Sequence, residues 1–147
     1  MSQGPDHEPL FTGISEFGVA LAEFVRAEPS AHGAILSDDE GDPIDFAHRH
    51  GAVTPLDLQI AGAQVEQAAT RMSAWCARQG LGRCEILIEA SHGLLLSAMP
   101  GHGCVLTSLH SPPDLGAARE VDPMVDARDA LLGRFAALRR RIAILIQ

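Results

Sequence analysis

Apolar residues recur along this chain at two spacings, and the alternation between them predicts the order of its elements. Spacings of three to four residues indicate helices, whereas short apolar runs bounded by Gly, Pro and Asp indicate strands. In chain order the pattern predicts a helix at 14–27, strands at 33–37 and 43–48, a helix at 54–80, strands at 83–90, 94–99 and 104–109, and a helix from 122 onward. This order predicts an α+β fold with a five-stranded antiparallel sheet flanked by helices.

The helix predicted between Thr54 and Gly80 is the longest element. Thr54 can cap its first turn, Pro55 suits the first helical position, and the negative Asp57 complements the helix dipole. Gly80 can end the helix in the left-handed conformation. The stripe expected to face the core consists of Leu58, Ala61, Val65, Ala68, Ala69, Met72, Trp75 and Cys76.

A neighbouring face of the same helix carries small or uncharged residues where a solvated helix usually carries Glu and Lys. Its members are Ile60, Ala63, Gln64, Gln67, Thr70, Ala74 and Ala77. Two interpretations remain open. The face is either a second contact surface onto which another helix can pack, or the outside of an alanine-rich surface helix.

The chain of 147 residues is long enough for one hydrophobic core and too short for two domains. Residues 1–11 mix Gly, Pro, Asp, His and Glu without periodicity, and we expect them to form a flexible tail. We expect residues 12–121 to form the main domain and residues 122–147 to form an extended C-terminal helix packed on that domain.

Charge narrows the range of partners. Nineteen acidic residues against eleven arginines, with no lysine, give a net charge of −8, which would repel nucleic-acid phosphates and anionic lipids. No stretch has the length of an apolar membrane span, and no secretory segment opens the chain. Together with the odd number of cysteines (Cys76, Cys84 and Cys104), these features predict a cytoplasmic protein that binds no nucleic acid and does not insert into a membrane.

Sequence motifs for common chemistries are missing. There is no phosphate-binding Gly-rich loop with its lysine, no Gly-x-Ser-x-Gly elbow, no His-Glu-x-x-His pair and no Cys-x-x-Cys pair. We therefore expect no catalytic residue, no metal and no cofactor. The cysteines are expected to be buried as small hydrophobic residues. A metal site needs several converging ligands, so the histidines at strand ends and turns are expected to be solvated; they are His48, His50, His92 and His102.

The order of elements and several short motifs resemble the Roadblock/dynein light chain family, in particular its bacterial branch typified by mutual gliding-motility protein B. The motifs are the strand at 33–36, the acidic turn ending at Gly41, the Gly-Leu-Gly step at 80–82, the strand at 85–89 and Asp-Leu-Gly at 114–116. Each motif is weak alone, but their order and spacing are specific, and the match covers about residues 14–120. The chain departs from the family in its last helix, which starts at 122 and is longer.

The resemblance implies a homodimer in which the long helices pair and the third strands join the two sheets. Its interface would include Ala63 and Thr70 on the helix and Arg83, Glu85, Ile86, Leu87 and Glu89 on the strand. The strand charges favour a twofold axis at Ile86, because Arg83 then faces Glu89 of the other copy. An axis at Leu87 would instead oppose Glu85 and Glu89.

The resemblance also implies a non-enzymatic regulator that binds a small Ras-like GTPase and biases its nucleotide state. The candidate contacts lie on the exposed face of the long helix: Ile60, Gln64, Gln67, Arg71, Ala74 and Arg78. Two alternatives stay open. One is a scaffold or adaptor subunit without effect on GTP hydrolysis, and the other is a small-ligand or metal-sensing module. A heterodimer with a paralogue is a further alternative to the homodimer.

Overall fold

The computed structural model describes residues 15–101, 103–112 and 123–147, and its elements follow the predicted order. They are α1 (Glu16–Ala27), β1 (Ala31–Asp38), β2 (Pro43–His48), α2 (Pro55–Arg78), β3 (Glu85–Ala90), β4 (Gly93–Gly101), β5 (Cys104–His110) and α3 (Pro123–Ile146). The prediction of an α+β fold with a five-stranded antiparallel sheet is confirmed. The predicted tail at 1–11, the boundary at 121/122, the motif at 114–116 and His102 lie outside the described residues.

The sheet has the strand order β2-β1-β5-β4-β3, so β2 and β3 are its two edges. All neighbouring strands are antiparallel. In the acidic turn between β1 and β2, the Asp38 carboxylate accepts hydrogen bonds from the N–H groups of Glu40 and Asp42, both at 2.9 Å. Gly41 supplies the positive φ of 86° that closes this turn.

Helices cover both faces of the sheet. On one face α1 and α3 pack against each other and against the strands, and Leu21, Phe24, Phe135 and Ile142 lie in the core they form. The Phe24 and Phe135 rings meet edge to face with centroids 6.3 Å apart. On the other face α2 packs against β1, β5, β4 and β2.

The first half of α2 lies unusually close to β1. Thr54 and Asp57 form the predicted capping box, in which each side chain bonds the backbone N–H of the other residue. A Cβ on Gly62 would come within 2.6 Å of the Ser37 hydroxyl, and a Cβ on Gly33 within 2.8 Å of Leu58. Glycine at both positions therefore sets the distance between helix and sheet.

The second half of α2 buries less than its sequence predicts. The buried residues of the helix are Leu58, Gly62, Val65, Glu66, Ala69 and Cys76. The prediction that Ala68, Met72 and Trp75 face the core is wrong, because Ala68 is exposed and Met72 and Trp75 are 43% and 45% exposed. These three lie on one flank of the helix, beside the stripe that touches the sheet. Among the described residues, no helix is long and apolar enough to cross a bilayer.

Candidate functional site

The outward stripe of α2 is the first part of the candidate site. All six predicted partner-binding residues are exposed on it: Ile60, Gln64, Gln67, Arg71, Ala74 and Arg78. Large apolar side chains border this stripe, including Leu56, which is 63% exposed, and Trp75. So much exposed apolar surface along one helix is typical of a contact surface.

The charge of this stripe differs from that of the whole chain. After Asp57, which is engaged in the helix cap, the only carboxylate on α2 is Glu66. Glu66 is buried and accepts a hydrogen bond of 3.1 Å from the Thr70 hydroxyl. The exposed charges of the stripe are therefore those of Arg71 and Arg78, and the surface is neutral to positive in a chain of net charge −8.

Of the two helix residues predicted for the dimer interface, Ala63 lies apart from β3. Ala63 lies beside Gly41 of the β1–β2 turn, where a Cβ on that glycine would come within 3.4 Å of it. Thr70 is one turn further along α2 from Glu66, to which it donates its hydrogen bond. The β1–β2 turn belongs to the edge of the sheet opposite β3, so the structure does not bring Ala63 together with the predicted strand residues.

The edge strand β3 is the second part of the candidate site. Of its predicted interface residues, Glu85, Leu87 and Glu89 are exposed and Ile86 is partly buried, while the exposed Arg83 precedes the strand. Leu87 and Ile88 are 37% and 48% exposed, although they lie within a strand. Such an exposed apolar edge favours pairing with another strand.

Both carboxylates of β3 are held by arginines of the C-terminal helix α3. Arg128 forms an ion pair with Glu89, with a closest N···O distance of 2.5 Å, and Arg139 pairs with Glu85 at 3.4 Å. The sequence prediction missed these ion pairs, although the spacing of the two arginines and of the two glutamates along the chain indicates that they could pair. Eleven residues of helix span about 16 Å and four residues of strand about 13 Å, so the two arginines match the two carboxylates in separation.

An open groove of about 590 Å³ lies on the sheet face beside β3. Ile88, Leu95 and Leu109 form its apolar floor, and His32 and His92 line it as well. Within the described residues, no three His, Cys, Asp or Glu side chains converge as a metal site would require.

His110 lies next to this groove and is almost completely buried. Its Nδ1 is 3.0 Å from the Ser30 hydroxyl and its Nε2 is 2.7 Å from the Ser108 hydroxyl. Burial lowers the pKa of His110 to about 4; Glu28 opposes this shift, whereas His32 and Arg134 add to it. The imidazole is therefore neutral at pH 7. Sequence reasoning did not identify this residue, because a single histidine at the end of a strand belongs to no recognisable motif.

The cysteines are placed largely as predicted. Cys76 and Cys104 are buried and Cys84 is partly buried, and all three are free thiols. Burial raises the pKa of the Cys84 thiol, and its hydrogen bond with Cys76 raises it further. Burial also raises the pKa of Cys104. Raised pKa values keep Cys84 and Cys104 protonated, which suits a structural role.

These features define an α+β domain of the Roadblock/LC7 fold, in which the described residues leave one face of α2 and the β3 edge exposed. Among solved structures, Myxococcus xanthus MglB is similar with a TM-score of 0.67 and 12% identity, covering 90% of this chain and 96% of MglB. A Roadblock/LC7 domain from Streptomyces avermitilis is similar with a TM-score of 0.64 and 17% identity, covering 87% and 95%. The gliding protein MglB from Thermus thermophilus has a TM-score of 0.58 and 16% identity, covering 91% and 98%.

At these identities the likeness establishes the fold. No protein-family profile matches the sequence, and no curated protein is detectably similar to it.

Proposed function

We propose that this chain is a non-enzymatic, homodimeric regulator that binds a small Ras-like GTPase and biases its nucleotide state. The observation that carries the proposal is the exposed stripe of α2, where Leu56 and Ile60, one helical turn apart, are 63% and 51% exposed. Exposed apolar surface of this kind, rimmed by polar residues, marks protein–protein interaction sites. The Roadblock/LC7 fold and the resemblance of the sequence motifs direct the choice of partner.

A regulator of this kind needs only a difference in affinity between two states of its partner. If the stripe contacts the GTP-bound switch conformation better than the GDP-bound one, it shifts that equilibrium by the difference in binding free energy. No catalytic group from this chain is required for such a shift.

The experiment is a capture assay with the purified protein, using lysate of the source cell supplemented with GDP or with a non-hydrolysable GTP analogue. We expect a small GTPase to be retained mainly with the GTP analogue. The purified GTPase is then assayed for hydrolysis and nucleotide exchange with and without this protein. Loss of nucleotide dependence, or rates unchanged at saturating protein, contradicts the regulator.

A pair of variants ties the binding to the stripe. Ile60→Asp places a charge on the apolar N-terminal end of the stripe, and we expect it to weaken GTPase binding at least about tenfold. The matched control is Ile144→Asp on α3, since Ile144 is 68% exposed and lies on a different helix. If both variants bind equally well, the stripe is not the docking surface.

A scaffold is the second candidate function, because a homodimer would carry the exposed α2 stripe twice. The two copies of the stripe in such a homodimer would tether two proteins at once. A scaffold would bind its GTPase equally in both nucleotide states and leave both rates unchanged, so the same assays distinguish the two functions.

A further inference from the structure

We propose that a second copy of this chain pairs along β3 with Leu87 on the twofold axis, and that Arg128 and Arg139 of α3 complete the interface. The inference rests on the homodimer of the proposed function and specifies which residues meet. It differs from the axis at Ile86 that the sequence favours.

The hydrogen-bonding pattern of the sheet determines which peptide groups of β3 point outward. The Arg49 N–H donates to the His32 carbonyl at 2.7 Å, which makes these two residues a hydrogen-bonded pair of the β1–β2 ladder. Such pairs alternate along antiparallel strands, and each residue directs both its peptide groups to one side. The registers between neighbouring strands carry this alternation from β1 through β5 and β4 to β3. The β3 residues hydrogen-bonded to β4 are therefore Ile86, Ile88 and Ala90. The residues with outward groups are Glu85, Leu87 and Glu89.

The opposite edge of the sheet is protected against strand pairing. Pro43 at the start of β2 has no N–H, and the N–H of Phe46 is bonded to the Asp45 carboxylate at 2.8 Å. The register also shifts between Leu36 and Ser37, where β1 pairs with β2. Proline, inward-held charges and bulges are common means of blocking an edge. The β3 edge has no proline and no register shift against β4, so it is the edge open to a second copy.

Twofold pairing requires outward residues to face outward residues, so the axis must pass through a residue. With Leu87 on the axis, Glu85, Leu87 and Glu89 face Glu89, Leu87 and Glu85 of the mate, and every pair lies within β3. An axis at Ile86 would need Arg83 to continue the ladder, although Arg83 lies before the strand. Leu87 therefore gives the longest continuous ladder.

The ion pairs of α3 remove the electrostatic objection to this register. Glu85 and the mate's Glu89 would repel each other as bare carboxylates. Each one already has its own arginine, Arg139 for Glu85 and Arg128 for Glu89. Across the interface the four charges then alternate in sign, and each arginine can also contact the opposing carboxylate.

The same register assigns an occupant to the groove beside β3. The Cys84 thiol is hydrogen-bonded to the Cys76 thiol near the end of α2. In this register Cys84 lies opposite Ala90 of the mate. Ala90 and Ile88 line the groove. The end of the mate's α2, with its exposed Trp75, is thereby brought next to the groove and covers apolar surface there.

Disulfide crosslinking tests the register directly. In a Cys84→Ser background, Leu87→Cys places two thiols across the axis on a hydrogen-bonded pair, whose Cα atoms are about 5.5 Å apart and suit a disulfide. The matched variant is Ile86→Cys, whose two copies would lie about 8 Å apart, beyond the range that a disulfide spans. With mild oxidation by glutathione disulfide, we expect a covalent dimer from Leu87→Cys and little from Ile86→Cys.

Arginine variants test the role of α3 without changing the strand. We expect Arg128→Ala to raise the dimer dissociation constant about tenfold at low salt, because two symmetry-related sites each lose a compensating charge. The control is Arg141→Ala on the same helix, since Arg141 pairs with Glu23 of α1. The difference between the variants should shrink at high salt.

The outcomes separate this inference from the proposed function. Efficient crosslinking of Ile86→Cys and not of Leu87→Cys, in a protein that sediments as a dimer, overturns the register and leaves the regulator standing. Equal dissociation constants for Arg128→Ala and Arg141→Ala overturn the role of α3. A protein that sediments as a monomer at all concentrations overturns both the register and the homodimer.

Discussion

Acidification is expected to destabilise this domain through His110. The imidazole is 2% exposed and shares its two nitrogens between the hydroxyls of Ser30 and Ser108. Its pKa is about 4 in the folded protein against an ordinary value of 6.5. Because the folded-state pKa is depressed, the unfolded chain binds the proton first as pH falls. The stability contributed by the neutral ring is therefore complete above pH 6.5 and is lost between pH 6.5 and 4.

The size of the effect follows from the shift. At 1.36 kcal/mol per unit, the full loss is about 3 kcal/mol, a large part of the roughly 5–15 kcal/mol by which such domains are stable. The assay is urea unfolding at pH 7 and near pH 4.5, compared between the native chain and His110→Gln. The glutamine amide can still bond a hydroxyl but does not titrate in this range.

Carboxylates such as Glu28, which pairs with Arg134, are present in both proteins and cancel in the comparison. We expect the native chain to lose about 2–3 kcal/mol more than the variant on acidification. Equal losses in the two proteins would refute the assignment of this pH dependence to His110.

Four further predictions concern packing, helix propensity, capping and exposure. Gly62→Ala should destabilise the domain by about 1–3 kcal/mol, because its Cβ would lie 2.6 Å from a buried hydroxyl. Gly133→Ala, a helical site with nothing within 4 Å, should stabilise it by about 0.5–1 kcal/mol, and equal denaturation midpoints would contradict this reasoning. Arg49→Ala should cost about 1–3 kcal/mol in unfolding free energy, since its guanidinium donates to three carbonyls between the end of α1 and the start of β1. The exposed Arg26→Ala should change the melting temperature little. Trp75, the single tryptophan, should shift its fluorescence maximum to shorter wavelength as dimer forms with rising concentration; a constant maximum would show that it stays exposed.

The course of the backbone was accessible to sequence reasoning because local signals were strong and agreed with one another. Thr54, Pro55 and Asp57 mark the start of α2, and the structure places the capping box there. Gly80 follows the helix with a φ of 70°, as the predicted helix end requires. The predicted strands differ from the observed ones by one or two residues at their ends, with β2 predicted without error.

The surface was harder to predict, because apolar periodicity does not reveal what covers an apolar residue. Met72 and Trp75 fit the helical stripe of a core, yet the single chain leaves both exposed. Local sequence also does not show which distant charges will meet. Arg128 and Arg139 reach β3 only because α3 packs across the sheet face on which Glu85 and Glu89 lie. Because of that packing, Glu89 has a positive partner in its own chain and does not need Arg83 of a second copy.

Helix α2 packs closely on the sheet in its first half and is more exposed in its second half, so two different constraints act on its sequence. At Gly62 the helix is so close to β1 that almost any side chain would force the layers apart. Past Ala69 the outward flank, including Met72 and Trp75, carries no such requirement from the fold. Substitutions near the start of the helix are therefore filtered by folding, and those near its end by whatever binds there. Over evolution a chain built this way can change its partner while keeping its architecture.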